Sequence, residues 1–309
     1  MRVAFLFPGQ GSQGVGMGRA VAERFEAGRA AFAEADRALG WEVSRLCFEG
    51  PKERLDQTEY TQPALLATSI ALLRALGEAG GRCDYVAGHS LGEYTALVAA
   101  GAISFPDALR LVQRRGALMQ GAVPPGEGGM AAVIGLDTAT VEALCAQAGD
   151  VVAANLNAPD QIVISGRADG ITRALALVKE KRGRGIRLAV SVPSHSPLMH
   201  PVCAQLSDAL DAVCGRDLAV PLVNNRTAQE VTTWAVAKIG LVAQLASPLL
   251  WEASMRRLRA MGVDLFVEIG PGRVLSGLMK KNDPTATVLN MEDAQGVDQV
   301  AEQLGRVGR

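Results

Sequence analysis

The chain is predicted to fold as an α/β protein in which a large unit of buried strands and helices is interrupted by a smaller, ferredoxin-like subdomain. Three observations predict this. Short apolar runs bounded by Gly or Pro, such as Val3 to Phe7 and Tyr85 to Ala87, read as buried strands separated by stretches of helical periodicity. Gly88-His89-Ser90-Leu91-Gly92 lies between the second run and a helix-like pattern, Glu93 to Ala100, with the Gly-X-Ser-X-Gly spacing of a nucleophile elbow. Beyond Pro124-Pro125-Gly126-Glu127-Gly128-Gly129 the pattern changes to a β-α-β-β-α-β succession over about 65 residues. The large unit is expected over residues 1–125 and 196–309, and the inserted subdomain over residues 126–195.

Taken in order, Val3 to Phe7 is continuously apolar and stops at Pro8-Gly9. The loop after it has glycines at 9, 11 and 14 in a dinucleotide-like spacing. No acidic residue closes a second strand about 20 residues on, because Asp36 falls in the alanine-rich helical stretch Ala20 to Leu39. The loop is better read as a donor of backbone N–H groups to a reaction centre. Trp41 to Leu55 is irregular to helical. Thr61-Gln62-Pro63 is expected to start a long apolar helix, Ala64 to Leu76, with proline in its first turn. The elbow strand and its helix follow, then a helix from Asp107 to Gln120.

In the subdomain the expected strands are Met130 to Leu136, Val151 to Leu156, Gln161 to Ser165 and Gly185 to Val192. The helices are Thr138 to Ala148 and Gly170 to Lys181, and a turn is expected at Asn157-Ala158-Pro159-Asp160. The large unit resumes with a helical Ser196 to Val213, a short strand at Val220 to Asn225, and helices over Ile239 to Leu245 and Trp251 to Met261. Strand Leu265 to Ile269 turns at Gly270-Pro271-Gly272 into helix Val274 to Met279. Strand Thr287 to Leu289 and a polar tail helix finish the chain.

Composition removes several function classes. With 49% apolar and 20% charged residues, 309 residues can bury a sizeable core. The 31 basic and 32 acidic residues nearly cancel, so no nucleic-acid partner is expected. Five widely spaced cysteines without a C-x-x-C pair predict neither disulfides nor a zinc site, and are expected to be buried thiols of a cytoplasmic protein. No run of ~18 apolar residues predicts a membrane span, and the apolar start is too short for a signal segment.

Ser90 on a tight strand-to-helix turn would project its hydroxyl from the carboxyl end of a strand, beside the first N–H groups of a helix. The glycines on either side allow the close packing such a turn demands. A serine alkoxide needs a base, and the chain has three histidines, His89, His195 and His200. His89, adjacent on the elbow, either acts directly or packs under the turn with its ring bonded to backbone. His200 is expected in a solvated or capping role. His195 is held in Val192-Pro193-Ser194-His195-Ser196-Pro197, stiffened by two prolines, and is the base by elimination. No Asp or Glu stands out as its orienter, so a backbone carbonyl is expected there. Arg110, Arg114 and Arg115 lie on one short helix. They are either solvated, or one of them enters a pocket and grips a carboxylate in bidentate fashion.

Five stretches then occur in one order. They are Phe7-Pro8-Gly9-Gln10-Gly11-Ser12-Gln13, Gly88 to Tyr94, Arg115-Gly116-x-x-Met119-Gln120, Val192-Pro193-Ser194-His195 and Glu268-Ile269-Gly270-Pro271-Gly272. Together they resemble the bacterial malonyl-CoA:acyl carrier protein transacylases of fatty-acid synthesis, and the resemblance runs to about Leu278. It implies a hydrolase-like parallel-sheet core with a ferredoxin-like insertion. It also implies a ping-pong reaction in which Ser90 takes malonyl from malonyl-CoA and passes it to the phosphopantetheine thiol of holo acyl carrier protein. His195 would be the base, the N–H groups of Gln10 and Leu91 the oxyanion hole, and Arg115, beside Met119, the partner of the malonyl carboxylate. The carbonyl orienting His195 would fall in Gln244-Leu245-x-x-Pro248, at Gln244. Leu250 before Trp251 departs from a polar residue found there in some members.

No metal or cofactor beyond the CoA thioester is implied, and a monomer is expected. Arg182, Arg184 and Lys280-Lys281 are candidates for docking an acidic carrier. A free-standing polyketide acyltransferase uses the same parts, as does a serine esterase or thioesterase with water as acceptor. A silent carrier-docking subunit would have no need of both Ser90 and His195.

Overall fold

A period-2 alternation in the strands sets the architecture. Val3, Phe5 and Phe7 face one apolar layer while Ala4 and Leu6 face another, so the first strand is buried on both sides. In the computed structural model, which describes residues 1–190 and 192–307, ten strands form two sheets. They are β1 (Arg2–Phe7), β2 (Tyr85–Gly88), β3 (Gly128–Ile134), β4 (Val151–Ala158), β5 (Gln161–Arg167), β6 (Arg184–Arg187), β7 (Leu222–Val223), β8 (Glu230–Val231), β9 (Val263–Ile269) and β10 (Thr287–Met291).

The larger sheet has the order β10-β9-β1-β2-β7-β8. All neighbours in it are parallel except the edge pair β7–β8. It is a parallel-sheet core of the kind expected, with an antiparallel edge strand, Glu230–Val231, that the sequence reading lacks. Two residues in a polar stretch carry no periodicity. The smaller sheet is wholly antiparallel, order β4-β5-β3-β6, and its connections run β-α-β-β-α-β. Its helices, Thr138–Ala148 and Ala168–Glu180, cover one face. The other face presents Met130, Ala154 and Val163, packed with Leu188 and Val190. The smaller sheet is tied to the segment ahead of the Trp251–Ala260 helix, where Leu249 N–H donates to Ala154 O (2.8 Å) and Leu156 N–H to Leu249 O (2.9 Å).

Several elements differ from expectation. The Ala20 to Leu39 stretch is two helices, Arg19–Arg24 and Glu26–Leu39, separated by an extended Phe25. The long apolar helix begins at Thr58, not at Pro63, and runs to Glu78. Proline inside it forfeits one backbone bond, but this helix is buried on nearly every side, and packing outweighs the loss. The last subdomain strand stops at Arg187; Leu188 to Val190 continue as irregular chain, and Ser191 lies outside the described residues. Ser196 to Val213 divides into a 3₁₀ turn, Pro197–Met199, and the helix His200–Asp211. Of the five thiols expected to be buried, Cys47 and Cys145 are, whereas Cys214 is exposed beyond the end of that helix. Among the described residues no helix is long and apolar enough to cross a membrane, and no cluster of His, Cys, Asp or Glu could hold a metal ion.

Candidate active site

The elbow is formed by contact between its own glycines. A Cβ on Gly88 would lie 2.0 Å from the Gly92 carbonyl oxygen, so only glycine lets the strand turn so sharply into the helix Gly92–Ala99. Ser90 at the apex adopts φ 53°, a left-handed conformation costly for a residue with a side chain. Asn225 holds it there. Its Oδ1 accepts from Ser90 N–H at 2.7 Å, and its Nδ2 donates to Gly88 O at 2.8 Å.

Ser90 Oγ lies 2.8 Å from His195 Nε2, and His195 Nδ1 lies 2.8 Å from the Gln244 carbonyl. A carbonyl can only accept, so Nδ1 carries the ring proton and Nε2 is left to accept from the serine hydroxyl. His195 also sits at φ 59°, its own N–H donating to Leu245 O. Burial, and then the charge of Arg115, push the imidazole down from its ordinary value to about 3, against the Gln244 bond that raises it. The ring is therefore neutral and proton-accepting at neutral pH.

Arg115 comes from the helix Phe105–Gly121. Next to it, a Cβ on Gly116 would lie 2.6 Å from Glu59 Cα, a closeness that brings this helix against the one carrying Gln62. Arg115 is 1% exposed. Its Nη1 donates to Gln62 Oε1 (2.9 Å), and its Nη2 to Gln244 Oε1 (3.0 Å) and to Ser90 Oγ (3.1 Å). Among the described residues no carboxylate reaches it at ion-pair distance, so the buried cation is held by amides, a hydroxyl and the Tyr94 ring, whose centroid lies 5.5 Å from its Cζ. Arg110 instead pairs with Asp107 in solvent and Arg114 reaches Gln205, which settles which of the three arginines enters the site.

These groups open on a cavity of about 290 Å³. Gln10, Leu91, Met119 and Asn155 line it with Ser90, His195 and Arg115. Among the described residues neither Gln10 N–H nor Leu91 N–H is taken by an acceptor, whereas Ser90 N–H is occupied by Asn225. Two free N–H groups, one at a helix start, can hold an oxyanion. The arrangement can therefore deprotonate a hydroxyl, stabilise negative charge on an attacked carbonyl, and receive a carboxylate.

The serine, the Pro-flanked histidine and one arginine meet at this point; His89 lines the same cavity, and His200 lies away from it. His89 bonds the Asn157 side chain at 2.8 Å rather than backbone, edge-on to Trp251, and burial lowers its affinity for a proton. His200 is exposed at the start of its helix.

A family model, the acyl transferase domain, matches residues 4–303. The chain belongs to the acyl transferase domain family. Within it, the chain is 46% identical over 308 residues to the malonyl CoA-acyl carrier protein transacylase of Bacillus subtilis, covering 98% of this chain and 97% of that protein. It is 45% identical over 298 residues to the Escherichia coli K12 protein of the same name, covering 94% and 96%. Among solved structures it resembles the Coxiella burnetii malonyl CoA-acyl carrier protein transacylase, with TM-score 0.96 and 38% identity over 98% of each chain. It equally resembles a malonyl-transacylase in complex with a type II PKS acyl-carrier protein, with TM-score 0.96 and 40% identity, covering 98% of this chain and all of the other.

Three residues of the site escape a sequence reading: Gln62, Asn225 and Glu93. Glu93 accepts from the Gln244 side chain at 2.7 Å and from Asn225 N–H at 3.3 Å. Each partner is distant in sequence, and a lone polar residue in an apolar helix carries no mark of whom it meets. The only signal is the oddity itself: one carboxylate in Leu91 to Val98, otherwise apolar or neutral.

Proposed function

We propose that this acyl transferase carries malonyl from malonyl-CoA to the phosphopantetheine thiol of holo acyl carrier protein through a malonyl-serine ester. The observation that carries this reading is a single cavity in which Ser90 and His195 lie 2.8 Å apart with a buried Arg115 beside them. His195 takes the Ser90 proton as Oγ attacks the thioester, and gives it to the departing CoA thiolate. The N–H groups of Gln10 and Leu91 receive the developing oxyanion, aided by the start of the Gly92–Ala99 helix. Arg115 turns its Nη2 from Ser90 Oγ to the malonyl carboxylate, which both fixes the acyl group and offsets the charge that depresses His195. The carrier thiol then repeats the attack in reverse. Met119, which the Gln62 amide bound to Arg115 touches from behind, lines the cavity and limits the room for the acyl group.

The names of the relatives support the substrate and the carrier partner. In this reading the enzyme works as a cytoplasmic monomer and supplies fatty-acid elongation. It needs no metal or cofactor beyond its thioester, and the four-stranded unit is a ferredoxin-like insertion. Exposed Arg182, Arg184, Lys280 and Lys281, the last of them paired with Asp160, are the side chains offered to an acidic carrier.

Intact-protein mass after mixing with malonyl-CoA, alongside acetyl-CoA and methylmalonyl-CoA, tests the reaction. A malonyl adduct discharged by holo carrier, with acylated carrier appearing, is the expected result. An adduct lost equally fast in water would make the enzyme a hydrolase, and no adduct with any thioester would reduce the protein to a docking subunit.

A further inference from the structure

Glu93 is a buried carboxyl group that the reaction just described does not use. It lies in the first turn of the helix behind Ser90 and is 1% exposed. A carboxylate in a first helical turn ordinarily stabilises the helix from solvent, but here it is directed inward at one side chain. Gln244 Nε2 donates to Glu93 Oε2 at 2.7 Å and to Ser90 O at 3.1 Å. The same amide, through Oε1, accepts from Arg115 Nη2 at 3.0 Å. The backbone carbonyl of that residue holds His195 Nδ1. Glu93 and Arg115 are thus a buried carboxyl group and a buried guanidinium joined by one amide, not in direct contact, and among the described residues Arg115 has no carboxylate at ion-pair distance.

We propose that Glu93, which touches no reacting atom, is a positioning and specificity-determining residue: through the Gln244 amide it is the counter-charge of Arg115, and it takes up a proton when an acyl group bearing a free carboxylate occupies the site. This rests on the reading of Arg115 as the partner of that carboxylate. The physical reason is crowding of like charge. A buried guanidinium balances one anion at short range, and a second anion delivered beside it in a site closed to water makes the first costly to keep ionised.

The groups that face Glu93 from the surrounding elements allow such a switch near neutrality. Desolvation raises its carboxyl to about 7, and bonds from Gln244 and Asn225, then the charge of Arg115, oppose the rise. Tyr94, its chain neighbour, and Arg115 from the Phe105–Gly121 helix are the ionisable groups coupled to it. His195 is coupled to Arg115 and to His89. The sign follows. A malonyl group raises the Glu93 value further, so malonyl binding is strongest below about 7 and weakens as pH rises through it. An acetyl group, with no carboxylate, leaves Glu93 unaffected.

The test is the half-saturating concentration of malonyl-CoA and of acetyl-CoA in the acylation half-reaction, across about pH 6 to about pH 8.5. It is run on the wild-type protein, Glu93→Gln and Arg115→Ala. Glutamine at 93 keeps an acceptor for Gln244 and removes the charge. The wild type is expected to weaken for malonyl-CoA by roughly three- to tenfold across the upper half of that range relative to acetyl-CoA, whose CoA moiety titrates identically. Glu93→Gln should abolish that difference in slope. A slope retained in Glu93→Gln, or shared by acetyl-CoA, overturns the proposal. Equal losses for malonyl and acetyl in Arg115→Ala would instead overturn the reading of Arg115 itself. Should Glu93→Gln fail to fold, proton uptake by the wild type decides the matter. Calorimetry in buffers of different ionisation heat should register more protons taken up with malonyl-CoA than with acetyl-CoA near pH 7.5, and equal uptake overturns the proposal.

Discussion

The two sheets meet the cavity from opposite sides and bring different kinds of atoms to it. From the larger unit come the hydroxyl of Ser90, the guanidinium of Arg115 and the amide of Gln244, and from the junction where the smaller unit leads back into it comes the ring of His195, each locked to at least one other by hydrogen bonds of 2.8–3.1 Å. From the smaller sheet and its trailing chain come mainly apolar atoms, of Met130, Leu188 and Val190, with Asn155 and Ser194 the polar exceptions ahead of His195. Charge and proton chemistry are set where backbone is buried on both faces and side chains have one arrangement. Shape is set by a half-layer whose other face packs on its own helices. A fold divided in this way can alter what fits without disturbing what reacts.

The sharpest way to break the comparison is on the large-unit side. Ser90→Ala should remove the acyl-enzyme altogether, with transfer falling by about 10⁴–10⁶-fold; a covalent adduct persisting in intact mass would move the nucleophile elsewhere. His195→Ala should slow acylation by ~10²–10⁴-fold at neutral pH, read in single-turnover quench experiments. An undiminished rate would redirect attention to His89. The same imidazole links stability to pH. Its folded value lies below its unfolded one, so its contribution is fully present above about 6.5 and is lost as pH falls toward 3. Thermal melts of the wild type should drop over that window, and those of His195→Ala should drop less.

Arg115→Ala comes next, with a loss of roughly 10–100-fold for malonyl transfer and far less for acetyl, as expected for a charged hydrogen-bonding partner worth ~1.5–3 kcal/mol. Kinetics with both thioesters checks it. The smallest effect belongs to the other sheet. Leu188→Ala should widen the wall, shift KM and the tolerance for a methylmalonyl group by up to about tenfold, and leave kcat for malonyl nearly unchanged. A collapse of kcat would show that the smaller sheet does more than shape the cavity.

What was legible in the sequence follows the same division. Ser90, His195 and the glycine-rich loop after the first strand announce themselves because glycines and prolines force local backbone geometry, and local geometry is what periodicity and turn chemistry record; Gln10 within that loop is named by the family resemblance. The β-α-β-β-α-β succession is equally local. Pro63 misleads because its usual place at a helix start is a weak preference, overruled by burial of the whole helix. Glu93, Asn225 and Gln62 stay hidden for a different reason. Their meaning lies in partners more than fifty residues away, as with Gln62 and Arg115, and no spacing rule reports such a meeting.

The order of strands in the larger sheet carries a consequence for how the enzyme is made. β1 lies in the interior, between β9 and β2, so residues 2–7 wait for residues 263–269, made later, before their second edge is covered. Ser90 waits likewise for His195 and for the Gln244 carbonyl, on the far side of the smaller sheet. Ser90 is therefore made well before the imidazole it touches. The hydrogen-bonded set of Ser90, His195 and Gln244 forms only once the chain as far as residue 244 has packed against the elbow.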